Sequence, residues 1–74
     1  MRLTELASDL AALRSDIAEE LLAINRYEQQ TFTVTDEEAR ETLARILDER
    51  KQHVGLLLAQ LRRLDPKQRE KLDR

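Results

Sequence analysis

The sequence predicts an all-α protein: an antiparallel hairpin of two long helices followed by a short C-terminal helix. One Gly and one Pro among 74 residues leave few positions that interrupt a helix. Apolar side chains recur at the alternating three- and four-residue spacing of an amphipathic helix. This spacing is followed in the first half by Leu3, Leu6, Leu10, Leu13, Ile17 and Ile24, and in the second half by Leu43, Ile46, Leu57 and Leu64. A chain of this length makes one domain, residues 1–74.

The first helix is expected over residues 4–30 and the second over residues 36–64. Between them lies the segment 31–35 (TFTVT), in which four of the five residues are β-branched and therefore poor local choices for a helix. Thr35 and Glu38 have the spacing of a capping box, which indicates where the second helix begins. A connection of about five residues makes the two helices antiparallel neighbours.

The second helix is expected to stop at Asp65 and Pro66, which also open a short third helix over residues 66–73. Asp65 is a suitable N-cap residue, and Pro is favoured at the first position of a helix because it lacks the N–H that would be unsatisfied there.

The apolar face of the second helix is wider than one neighbouring helix can cover. Its members span an arc of about 140° at 100° per residue. They are Leu43, Ile46, Leu47, Val54, Leu57, Leu58, Leu61 and Leu64. A domain this small without a disulfide or metal is also marginally stable. We therefore expect two hairpins to associate into a four-helix bundle, as a homodimer or a higher homo-oligomer.

Composition argues against several classes of partner. The net charge is −2 and the Lys and Arg residues do not cluster, which argues against nucleic acid. No apolar run approaches the roughly 18–20 residues of a membrane span. Residues 1–10 contain Glu5 and Asp9 and lack the apolar core of a signal peptide. We expect a soluble, cytoplasmic protein.

Ionisable side chains interrupt the apolar stripes near the middle of each helix. Glu20 and Tyr27 continue the stripe of the first helix, while Arg50 and His53 lie on that of the second. A charge on an apolar stripe costs free energy unless it is paired or binds a metal. Folding back about residues 33–35 brings Glu20 level with residues 47–50, so Glu20, Arg50 and His53 are expected to meet in one layer.

Two interpretations of this layer stay open. In the first, Glu20 and His53 bind a metal together with Glu49, which lies four residues before His53 and can share its face. Carboxylates with imidazole suit iron, manganese or zinc. In the second, Arg50 pairs with Glu20 and supplies the positive charge that a metal would have given. Tyr27 either packs its ring at the edge of the stripe with its hydroxyl in water, or hydrogen-bonds to a ligand.

Three segments resemble the ferritin-like superfamily and, within it, the encapsulated ferritins, short two-helix chains that dimerise into one four-helix bundle. They are residues 19–28 (EELLAINRYE), 48–53 (DERKQH) and 61–66 (LRRLDP). The resemblance extends over about residues 15–68, and the spacing of Glu, Tyr and His residues carries it.

In that family a first-helix Glu and a second-helix Glu-x-x-His bind two irons across the dimer interface and oxidise ferrous iron, inside an encapsulin-type protein shell. The resemblance implies that Glu20 and His53 are iron ligands and that Tyr27 lies near them. It also implies a location inside a protein nanocompartment. Arg50 stands where the second carboxylate is expected. The chain is thus expected to be an iron-binding ferroxidase, with Glu49 as the replacement ligand, or a metal-free assembly or cargo module. A third interpretation is a plain helical adaptor without ferritin ancestry.

Overall fold

The computed structural model describes residues 2–73 and folds them into three helices, with no strand among them. Helix α1 spans Leu3–Thr33, α2 spans Glu37–Leu64 and α3 spans Pro66–Leu72. Arg14 contacts Asp65, while Glu20, further along α1, contacts Arg50. The two long helices therefore run antiparallel, and the predicted all-α hairpin with a short third helix is confirmed. None of the helices within residues 2–73 is long and apolar enough to cross a membrane.

The connection between α1 and α2 is shorter than the sequence predicts. We expected α1 to end at residue 30, but it continues to Thr33. The hydroxyl of Thr31 donates to the carbonyl of Glu28 at 2.7 Å, and that of Thr33 donates to the carbonyl of Gln30 at 3.3 Å. Such bonds to the preceding turn let threonine remain helical despite its branched side chain. The prediction from β-branching alone was wrong by three residues.

The cap of α2 also differs from the prediction. The capping box placed Thr35 at the N-cap, whereas the structure has Asp36 there, with its carboxylate accepting from the N–H of Ala39 at 2.9 Å. The predicted cap was therefore one residue too early. An Asp is as good an N-cap as a Thr or better, and it adds a negative charge at the positive end of the helix dipole.

Helix α3 begins where the sequence predicts. Asp65 is its N-cap and accepts from the N–H of Gln68 at 3.2 Å, with Pro66 next in the chain. The same carboxylate accepts from Nη2 of Arg14 at 3.2 Å, which ties the start of α3 to α1. The helix ends at Leu72, one residue before the predicted end.

A single hairpin encloses little of its apolar surface. Of the apolar side chains within residues 2–73, Leu61 alone is buried. Leu22 and Leu56 are 69% and 67% exposed. The molecule measures 50 × 26 × 14 Å, and its smallest dimension is close to the diameter of one helix with its side chains. A layer this thin leaves each helix with one face that its neighbour does not cover.

Removing the cap of α2 should measurably destabilise the hairpin. We expect Asp36→Ala to lower the free energy of unfolding by about 1 kcal/mol, because the N–H of Ala39 loses its acceptor. Asp36→Asn keeps an acceptor and should stay close to the wild type. The measurement is urea unfolding followed by far-UV circular dichroism at one protein concentration. An Asp36→Ala variant with the wild-type midpoint would contradict the assigned cap.

Candidate functional site

The middle of the hairpin brings Glu20, Arg50 and His53 together, as the helix spacing predicts. Nη1 of Arg50 donates to Oε1 of Glu20 at 2.9 Å. Nδ1 of His53 lies 3.4 Å from the same oxygen. Glu20 comes from α1 and the other two from successive turns of α2, so one carboxylate on α1 faces two nitrogen-bearing groups on α2.

The three side chains differ in their access to water. The side chain of Glu20 is 14% exposed, that of Arg50 is 36% exposed and that of His53 is 51% exposed. The second carboxylate oxygen, Oε2 of Glu20, is buried and accepts no hydrogen bond from residues 2–73. A buried acceptor without a donor is costly, so half of this carboxylate is unsatisfied in a single chain.

The pKa of the Arg50 guanidinium is raised above its ordinary value. The main cause is its hydrogen bond to the Glu20 carboxylate, followed by the negative charge of that carboxylate. Desolvation acts in the opposite direction, and the hydroxyl of Tyr27 adds a smaller effect that also raises the pKa. Arginine is already protonated throughout the physiological range, so the site contains a fixed positive charge.

The remaining predicted residues lie around this pair. Tyr27 is half-buried on α1, and its hydroxyl is close enough to Arg50 to contribute to the raised pKa of the guanidinium. Glu49 is exposed. No group of three or more His, Asp or Glu side chains within residues 2–73 is arranged to hold a metal ion. Glu49 therefore does not complete a three-ligand set with Glu20 and His53 inside one chain.

An open groove beside the ion pair was not anticipated from the sequence. It is lined by Asp16, Glu19, Glu20, His53, Leu56 and Leu57. The acidic residues occupy positions i, i+3 and i+4 of α1. This spacing places their side chains on one helix face, and from it the acidic edge of the groove could have been predicted. The groove combines an acidic edge from α1 with an apolar side from α2.

The donor set of one chain does not fit a divalent metal ion. Of the residues predicted as metal ligands, the carboxylate of Glu20 and the imidazole of His53 are the two that lie next to each other. Oε1 of Glu20 already accepts from Arg50, whose guanidinium has no lone pair to offer a metal. A fixed positive charge this close also repels a second cation. Of the two carboxylate oxygens of Glu20, Oε2 is the one that accepts no hydrogen bond from residues 2–73.

The pH dependence of stability should identify Arg50 as a permanent charge. A group whose pKa is raised on folding stabilises the protein below that pKa and loses its effect only as the pH rises through it. The difference in urea midpoint between the wild type and Arg50→Gln should therefore stay constant from about pH 7 to about pH 10. In an Arg50→Lys variant the corresponding difference should begin to change near the upper end, where lysine titrates. If the difference in urea midpoint between the wild type and Arg50→Gln disappears below about pH 10, this assignment is wrong.

Comparison of the sequence with known proteins assigns the chain to a family. The whole chain, residues 1–74, matches the family model described as EncFtn-like. Over 56 residues it is 46% identical to a ferritin-like-encapsulin shell fusion protein of Pyrococcus furiosus, an alignment that covers 76% of this chain and 16% of that relative. The chain thus spans about one sixth of the relative's length, and no solved structure matches it. These matches show that the chain belongs to the EncFtn-like family, the encapsulated ferritins.

Proposed function

We propose that this chain is a ferritin-like subunit of an encapsulin compartment that works without a metal centre, as an assembly or cargo module. One observation carries the proposal: the 2.9 Å bond from Nη1 of Arg50 to Oε1 of Glu20. This bond connects Glu20, which the family resemblance assigns as a metal ligand, with Arg50. Arg50 is a cation at the position where a second metal ligand is expected. The ion pair then compensates the negative charge that a metal would otherwise compensate.

Charge balance supports this interpretation. Two hairpins related by a two-fold axis would contribute two Glu20 carboxylates and two Arg50 guanidinium groups, whose charges cancel. With Glu at position 50, the same layer would hold four carboxylates, whose repulsion requires cations. The residue at position 50 thus determines whether the layer needs a metal or is neutral by itself.

The proposed partners are a second hairpin and a shell. The apolar surface that one hairpin leaves uncovered, including Leu22 and Leu56, supports association with further copies. The Pyrococcus furiosus relative is, by its name, a fusion of a ferritin-like protein with an encapsulin shell. A relative that carries its shell in the same chain supports a location inside a protein nanocompartment for this chain.

Iron binding is the second candidate function, and Oε2 of Glu20 favours it. This buried oxygen has no donor, and the imidazole of His53 lies beside the same carboxylate. In this alternative, iron is bound by Glu20 and His53 with Glu49 as the third ligand, and the subunit is a ferroxidase that contributes to iron storage. Arg50 would then have to leave Glu20, which the donor set of one chain does not favour.

Substitution of Arg50 by glutamate distinguishes the two candidates. Wild-type protein from iron-supplemented cells should contain far less than one iron per chain. Arg50→Glu restores a carboxylate three residues before His53, and we expect it to bind on the order of one iron per chain. Iron is measured by elemental mass spectrometry after size-exclusion chromatography. Arg45→Glu makes the same charge change at an exposed position of α2 and should leave the iron content low.

Two results of these measurements would contradict the metal-free proposal or the role given to Arg50 in it. Stoichiometric iron in the wild type that is lost in both Glu20→Ala and His53→Ala would overturn the metal-free proposal in favour of the second candidate. A folded Arg50→Glu variant without iron would show that Arg50 is not what excludes the metal.

A further inference from the structure

We propose that the ion pair is shared between two chains, with Arg50 of each hairpin binding Glu20 of the other as well as its own. The two Arg and two Glu side chains then form one closed ring across a two-fold interface. This inference rests on the proposed metal-free function and goes beyond it, because it names the contact that holds the copies together. It follows from three features of the single hairpin.

The first feature is an acceptor without a donor. Oε1 of Glu20 receives Arg50, but Oε2 is buried and receives nothing from residues 2–73. Buried carboxylate oxygens are normally hydrogen-bonded, since an unsatisfied one loses its hydration without compensation. The last torsion of a glutamate side chain is soft. The carboxylate can therefore turn until one oxygen keeps its own Arg50 and the other faces a second chain.

The second feature is a donor with unused capacity. A guanidinium carries five N–H donors in a planar fork that can bridge two carboxylates. In Arg50, Nη1 is bonded to Glu20, while 36% of the side chain remains open to water. The hairpin thus has a spare acceptor and spare donors at the same level of the bundle.

The third feature is the surface beside the pair. Leu56 and Leu57 line the groove next to Glu20 and His53, and Leu56 is 67% exposed. In a two-fold contact the same patch meets its own copy, so a contact centred on this layer would bring the Arg50 of a second hairpin towards Glu20. In the layer of the ion pair, Glu20 and Arg50 contribute one charge of each sign per chain, which makes that layer complementary to itself. A second copy of this chain is therefore the occupant that satisfies both charges and covers the leucines.

Two complementary variants test contact between chains directly. Arg50→Glu places two carboxylates in one chain, and Glu20→Arg places two guanidinium groups in one chain. Neither can form the ion pair within itself, and each homodimer would hold four like charges. In the presence of a chelator we expect each variant alone to dimerise on the order of tenfold more weakly than the wild type. Equal mixtures should form one-to-one heterodimers with affinity near that of the wild type, measured by native mass spectrometry and sedimentation equilibrium.

Matched controls address charge and folding. Glu41→Arg and Arg45→Glu make the same changes at exposed positions on the opposite side of α2 from Arg50, and mixing them should not favour a heterodimer. If the charge-reversal variants do not fold, the neutral variants Glu20→Gln and Arg50→Gln are used in their place. Their heterodimer keeps one ion pair between chains and none within a chain, so it should again be favoured over both homodimers.

The results distinguish this inference from the proposed function. A wild-type dimer that survives chelation, with variants that show no preference for the heterodimer, would overturn the ring while leaving the metal-free function intact. A wild-type chain that stays monomeric at high concentration in chelator would also overturn the ring. A wild-type dimer that contains metal and dissociates on chelation would overturn the proposed function itself.

Discussion

The bond between Arg50 and Glu20 determines the charge balance at the centre of this hairpin. It joins the middle of α1 to the middle of α2 across 30 positions of sequence. The carboxylate is 14% exposed, so its charge is compensated by the guanidinium rather than by water. Removing Arg50 would leave the largely enclosed Glu20 charge without its partner, which is why the two positions have to be considered as one unit.

Because the hairpin is only one helix thick, the Arg50–Glu20 ion pair lies close to a surface that a second chain could cover. Two helices cannot surround a core, and Leu61 is the one apolar side chain within residues 2–73 that becomes buried. Covering the faces that the contact between the two helices leaves open, as the proposed association would do, adds stability by removing apolar surface from water. The family resemblance implies a metal-binding layer between two such hairpins. In this chain the same layer contains a fixed cation, so the proposed bundle would be neutral at its centre without an ion from solution.

Helix positions could be predicted from the sequence more reliably than side-chain partners. The apolar spacing and the Asp65-Pro66 stop predicted the helices, and the antiparallel geometry brought Glu20 to the level of Arg50. The end of α1 was missed because threonine hydroxyls bond to the preceding turn, an effect that β-branching statistics do not include. The cap was missed because Asp36 competes with Thr35 for the same role. Whether Glu20 bonds to a cationic side chain or to a metal depends on side-chain geometry, which spacing alone does not determine.

Crystallography with iron at its absorption edge is the most direct test of the central claim, that a guanidinium occupies the place of the metal. Crystals grown with ferrous iron under anaerobic conditions should show Arg50 bonded to Glu20, and no anomalous scattering peak beside Glu20 and His53. An anomalous peak coordinated by Glu20 and His53, with Arg50 turned away from the carboxylate, would contradict the account.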